Sequence, residues 1–73
     1  MSPHLPALTA RDLIHMAESQ GFRKIRQKGS HAVYAHSDGR ITVIPIHSGE
    51  NIGLGLLREI LRDIGINPND LRN

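Results

Sequence analysis

The sequence has no cysteine and no tryptophan, and only one phenylalanine, one tyrosine and four prolines among its 73 residues. Without cysteine there is no disulfide and no thiolate metal site, and secretion is not indicated. With two aromatic rings of this kind in the whole chain, burial has to come from aliphatic side chains, and a chain this short has a core near the lower limit for independent folding. No apolar run approaches the roughly 20 residues of a membrane span. The opening MSPHLPALTA lacks a basic flank and a long apolar stretch, so it does not read as a signal peptide. The expectation is one small cytoplasmic domain over residues 1–73, with its core at about 9–66 and a short tail at each end.

Charge is present but unevenly spread. Residues 21–47 carry Arg23, Lys24, Arg26, Lys28 and Arg40 against Asp38 alone, so the middle of the chain is strongly basic while the whole carries only +2. A basic middle on a nearly neutral chain suits an anionic partner met by one face. The same cations would also blunt an exposed strand edge.

Thr9 reads as a helix N-cap with Asp12 as its capping-box partner, and Leu8 and Leu13 occupy the two positions of a hydrophobic staple. Ala10, Leu13, Ile14 and Ala17 follow helical spacing, with Arg11, His15 and Glu18 on the opposite face, and Gly21 stops a helix over about 10–20. Three β segments follow: FRKIRQ, HAVYAH and ITVIPI. The Lys28-Gly29-Ser30 turn joins the first two and the Asp-Gly of SDGR joins the last two, giving an antiparallel meander. Pro45 assigns the end of the third to an edge or an exit. After the loop HSGENIG, an apolar stripe of Leu54, Leu57, Ile60, Leu61 and Ile64 predicts a second helix ended by Gly65 and kept from resuming by Asn67-Pro68. The class is α+β in the order α-β-β-β-α, with both helices on one face of the sheet.

Five histidines invite a metal. No pair has the spacing of a known zinc motif, so neither a metal nor another cofactor is expected. His4 falls in a terminal tail, His15 on a solvated helix face and His36 beside a turn. His31 and His47 differ. In a meander the start of the second strand lies near the end of the third, so both rings approach one end of the sheet, with Lys28 near. Imidazole, with an ordinary pKa of about 6.5, moves protons well at neutral pH. Cleavage of RNA needs a base for the 2′-hydroxyl, cations and N–H groups for the phosphate oxygens, and a proton for the leaving oxygen, but no metal. Gly29 would let a phosphate backbone come close, and Ser30 offers a hydroxyl and an amide. A strand-start histidine bonded to a backbone carbonyl would account for His31 without any chemistry.

The stretch GFRKIRQKGSHAVYAHSDGRITVIPIHSGENIGLGLLREILRDIGI resembles the HicA (YcfA-like) toxin family. The likeness rests on the Gly-Phe after the first helix, Arg-Gln-Lys-Gly-Ser-His, the Asp-Gly turn, Pro-x-His and the Leu-Arg-x-Ile-Leu-x-x-x-Gly-Ile ending, and runs from about Thr9 to Ile66. It implies a double-stranded-RNA-binding-domain-like fold and the activity of an mRNA interferase, a metal-independent endoribonuclease that stops translation. It also implies a HicB antitoxin that masks the site. The family's essential histidine falls on His31 and a second recurrent one on His47, which supports the site or holds its loop. Lys24, Arg26, Lys28, Gly29 and Ser30 are the expected phosphate contacts. One departure is Leu56, where many members have threonine. Neither DNA nor a membrane is an expected partner. The rival functions are a non-catalytic RNA-binding module on the same fold, for which duplex shape would suffice, and a protein-interaction domain whose basic face meets an acidic partner.

Overall fold

The capping box spelled at Thr9 is formed. In the computed structural model, which describes residues 6–47 and 49–71, the Asp12 amide donates to Thr9 Oγ1 (3.2 Å) and the Thr9 amide donates to Asp12 Oδ2 (2.9 Å). Such a cap contributes about 1 kcal/mol. Helix α1 then runs Ala10–Ser19, burying Ala10, Leu13 and Ala17 and exposing Arg11, His15 and Glu18. It closes by two reversed bonds, Phe22 N–H to the Ala17 carbonyl (2.9 Å) and Gly21 N–H to the Glu18 carbonyl (3.0 Å). Gly21 sits at φ +92°, and a Cβ there would come within 2.9 Å of His36 Nε2. Backbone and space both demand glycine. This closure delivers Phe22 into the core, where the His36 ring meets it edge-on at 5.3 Å and the Arg40 guanidinium lies 5.2 Å from its centre.

Strands β1 (Arg23–Lys28), β2 (His31–Ala35) and β3 (Ile41–Pro45) form an antiparallel sheet in the order β1-β2-β3. Gly29 and Ser30 make a two-residue hairpin turn with φ positive at Gly29 only, the pattern of a type II′ turn. The Asp-Gly pair serves a longer connection. His36 and Arg40 close a three-residue loop through the His36 amide, and the Gly39 amide returns to the His36 carbonyl. Asp38 accepts from both the Arg40 amide and its guanidinium.

Ala32, Tyr34, Thr42 and Ile44 point to one side of the sheet, and α1 and α2 (Leu54–Ile64) cover that side. Thr42, buried there, donates to Asp63 Oδ2 on α2 (3.0 Å). The other side is open: Ile41 is 57% and Val43 42% exposed. Helix α2 buries Leu57, Ile60, Leu61 and Ile64 as the stripe predicts, but Leu54 is half exposed. The reason lies just upstream, where the Ile52 amide bonds the Leu8 carbonyl and Asn51 bridges Thr9. Ile52 therefore closes that end of the core in place of Leu54. Beyond Gly65, which ends α2, Pro68–Leu71 form a short 3-10 turn whose Leu71 packs against the core. That segment is more than a tail. His4 and the rest of the first five residues lie outside the described region. Among the described residues no helix is long and apolar enough to cross a membrane.

Two carboxylates, Asp12 and Asp38, are held below the ordinary range, first by the backbone amides of Thr9 and Arg40 respectively, then by side-chain hydrogen bonds to the same residues. A depressed folded-state pKa contributes stability that is present above the unfolded value, near 4, and lost as pH falls through the folded value. Thermal melts from neutral pH down through the carboxylate range should therefore show an acid loss of stability that is shallower in Asp12→Asn and Asp38→Asn. An unchanged acid limb in both variants would contradict the assignment.

A histidine and three cations on the open sheet face

Residues paired across antiparallel strands point to the same side, so the register sorts the candidate residues. His31 pairs with Lys28 on one side and Pro45 on the other, Val33 with Arg26 and Val43, and Ala35 with Arg23 and Ile41. Val43 and Ile41 face away from the helices, so His31, Lys28, Arg26 and Arg23 do too. Across such a pair the Cβ atoms stand about 4.5–5.5 Å apart, which holds the Lys28 and His31 side chains side by side at the mouth of the Gly29-Ser30 turn. His31, Lys28, Arg26 and Arg23 are all exposed. At Gly29, φ is +57° and, its chain neighbours aside, no atom lies within 4 Å of where a Cβ would be. The turn leaves its backbone open to approach.

Lys24 is not on this face. It pairs with Tyr34, which is buried on the helix side, and its Nζ donates to Gln27 Oε1 (3.0 Å). Gln27 in turn donates from Nε2 to the Gly29 carbonyl (3.1 Å). Lys24 thus braces the turn from behind. Its expected place beside Arg26 and Lys28 is taken by Arg23.

The cause is a bulge. The register skips between Lys24 and Arg26, leaving Ile25 as an extra residue opposite β2. Strict alternation back from Lys28 selects Arg26 and Lys24, and the bulge changes the phase so that the next outward cation is Arg23. The signal that could have found Arg23 is the spacing of Phe22, an obligate core residue, from Lys28. The two are an even number apart, so without an extra residue they would share a face.

His47 lies at the same end of the sheet but on its other side. The Ile46 amide bonds the Ser30 carbonyl, tying the exit of β3 to the turn, and His47 lines a cleft with Thr9, Ala10, Arg11 and Ile14 of the first helix. His31 and His47 therefore share a neighbourhood without sharing a surface. Among the described residues, ion pairs are confined to the β2–β3 hairpin, where Asp38 meets Arg40 and His36. Arg23, Arg26 and Lys28 have no acidic partner there, and no group of three potential metal ligands occurs. The arrangement offers an exposed imidazole, three unpaired cations and an open turn backbone on one face. Chemically that is an anion site with a proton-transfer group beside it.

The family described as "HicA toxin of bacterial toxin-antitoxin" matches this chain over residues 10–66. No curated protein matches it. The matched region spans both helices and all three strands, and the chain belongs to the HicA toxin family.

Deleting Ile25 tests the bulge. The deletion leaves Phe22 and Arg26 an odd number of residues apart, so the ladder becomes regular with every other side chain on its present face. The variant is expected to fold and to keep cross-strand nuclear Overhauser contacts between Arg26 and Val33. Loss of Phe22 from the core, or pairing of Arg26 with Tyr34, would contradict this.

Proposed function

We propose that this member of the HicA toxin family is a metal-independent endoribonuclease that cleaves mRNA in the cytoplasm, with His31 as its proton-transfer residue. The observation that carries the reading is that His31 shares the open sheet face with Lys28, Arg26 and Arg23 beside the unobstructed Gly29-Ser30 turn. A duplex-binding module would use such cations but has no need of an exposed imidazole among them. Membership in a toxin–antitoxin family also implies an antitoxin partner.

In this reading the scissile phosphate lies over the turn. His31 takes the proton of the ribose 2′-hydroxyl, whose oxygen attacks the adjacent phosphorus. The bond to the 5′-oxygen breaks, and that oxygen leaves with a proton from a second donor or from water. The products are a 2′,3′-cyclic phosphate and a 5′-hydroxyl. Lys28 and Arg26 face the charge that gathers on the non-bridging oxygens, and the Ser30 amide and hydroxyl add donors. Arg23, at the far end of the same face, suits a neighbouring phosphate.

The partner of this face is a HicB-type antitoxin. Ile25 (60% exposed), Ile41 and Val43 put apolar surface among the cations, and apolar patches of this kind mark protein contacts. An antitoxin with an apolar centre and acidic rim would cover both features and exclude RNA.

Purified protein is expected to cut single-stranded RNA in the presence of EDTA and leave 2′,3′-cyclic phosphate ends. The His31→Ala variant, folded by circular dichroism, should lose about 10²–10⁴-fold in rate. Equal cleavage by both proteins would remove His31 from the chemistry. RNA binding without cleavage by either would favour the binding module.

A further inference from the structure

The cleft beside α1 takes no part in the proton transfer described above. Thr9, Ala10, Arg11 and Ile14 line it from the helix, and Ile46 and His47 from the exit of β3, around about 430 Å³. That is within the roughly 300–1,000 Å³ of small-molecule sites. Its walls are mainly aliphatic, with Ile14 and Ile46 half-buried and Arg11 and His47 exposed at its polar margin. It is also joined to the turn that carries His31. The Ile46 amide bonds the Ser30 carbonyl, and the next residue of each strand segment, His31 and Pro45, pair on the open face. Cleft and histidine thus lie on the two sides of one end of the sheet, a single strand layer apart.

We propose that this cleft is a base-binding subsite, holding an unpaired nucleobase of the RNA next to the linkage being cut. The inference rests on the ribonuclease reading and goes further by naming where a base is held. A slot with aliphatic walls suits the flat faces of a base, which single-stranded RNA presents when its bases are unstacked. Arg11 supplies planar donors that can stack on the ring or bond its edge, and the His47 ring offers a further stacking surface and polar edge. Arg11 has no acidic partner among the described residues. The RNA backbone would cross the sheet end at Gly29, where nothing obstructs it. The phosphate then remains by Lys28 and His31 while the adjoining base turns down into the cleft. A base still paired in a duplex cannot make that turn, so the substrate is single-stranded at the cut. His47 then acts in binding, on the far side of the strand layer from His31, and takes no proton in the reaction.

The test uses the full chain carrying His31→Ala, titrated with each of the four 5′-mononucleotides and, separately, with ribose 5-phosphate, while backbone amide shifts are followed. The nucleotides should move the amides of Arg11, Ile14, Ile46 and His47, whereas ribose 5-phosphate should move only those of residues 28–31. Arg11→Ala and His47→Ala, both at exposed positions, should weaken nucleotide binding by about fivefold or more, the low end for loss of a base contact. Nucleotides that move only residues 28–31 would overturn the proposal. So would cleft amides that respond to the antitoxin and to no nucleotide, which would make the cleft a protein seat. The two readings fail separately. Nucleotide-dependent shifts in the cleft, together with a wild-type chain that cuts no RNA, would leave a base-binding cleft and remove the nuclease. Cleavage that needs His31, with a cleft silent to every base, would overturn the subsite alone.

Discussion

Phe22 has to point into the core and Lys28 away from it, and six residues of chain separate them. In a regular strand, residues an even number apart share a face. The core requirement is strong, because Phe22 is the chain's one phenylalanine, is 2% exposed, and supports both the His36 ring and the Arg40 guanidinium. The turn requirement is equally strict, since the two-residue hairpin fixes Lys28 opposite His31. One extra residue, Ile25, reconciles them. The bulge lets the Schellman closure of α1 hand Phe22 to the core while the rest of β1 presents Arg23, Arg26 and Lys28 on the opposite side.

That arrangement divides the sheet by function. The helix side carries the burial: Ala32, Tyr34, Thr42 and Ile44 meet α1 and α2, and Ile52 with Leu8 closes one end. Strand β1 stands outside this core and is exposed along its whole length, so its side chains are free of packing duties. Cations can therefore be placed there at little cost to the fold. The open side gathers those cations, His31 and several exposed aliphatic side chains. One face thereby suits both a polyanion and a protein, and under the proposed function the antitoxin and the RNA compete for it.

Much of the fold was legible from local signals. The Thr9–Asp12 box, the glycines after each helix, the two turns and the β-branched run at 41–46 each act over a few residues, and each formed where expected. The misses were non-local. Leu54 fits the helical stripe, but its burial was decided by Ile52 pairing with Leu8, a contact that spacing along one helix does not encode. Lys24 is expected with Arg26 and Lys28 among the phosphate contacts and Arg23 is not, whereas the register puts Arg23 on their face and Lys24 on the other, because a bulge depends on two distant demands on one strand. The approach of His31 and His47 to one end of the sheet followed from meander topology. Their separation onto two sides did not, since it depends on the Ile46–Ser30 bond and on α1 packing beside the β3 exit.

Under the proposed function the bulge selects which cations meet the phosphate backbone, and comparison of Arg23→Gln with Lys24→Gln tests this most directly. The measurement is the affinity of each variant, on a His31→Ala background, for one single-stranded RNA over a range of salt concentrations. Arg23→Gln should weaken binding and reduce the log–log salt slope by about 0.7, the loss of one phosphate contact on a single strand. Lys24→Gln should leave that slope unchanged. A slope that falls with Lys24→Gln and holds with Arg23→Gln would mean that RNA lies on the helix side of β1, and the account of the open face would be wrong.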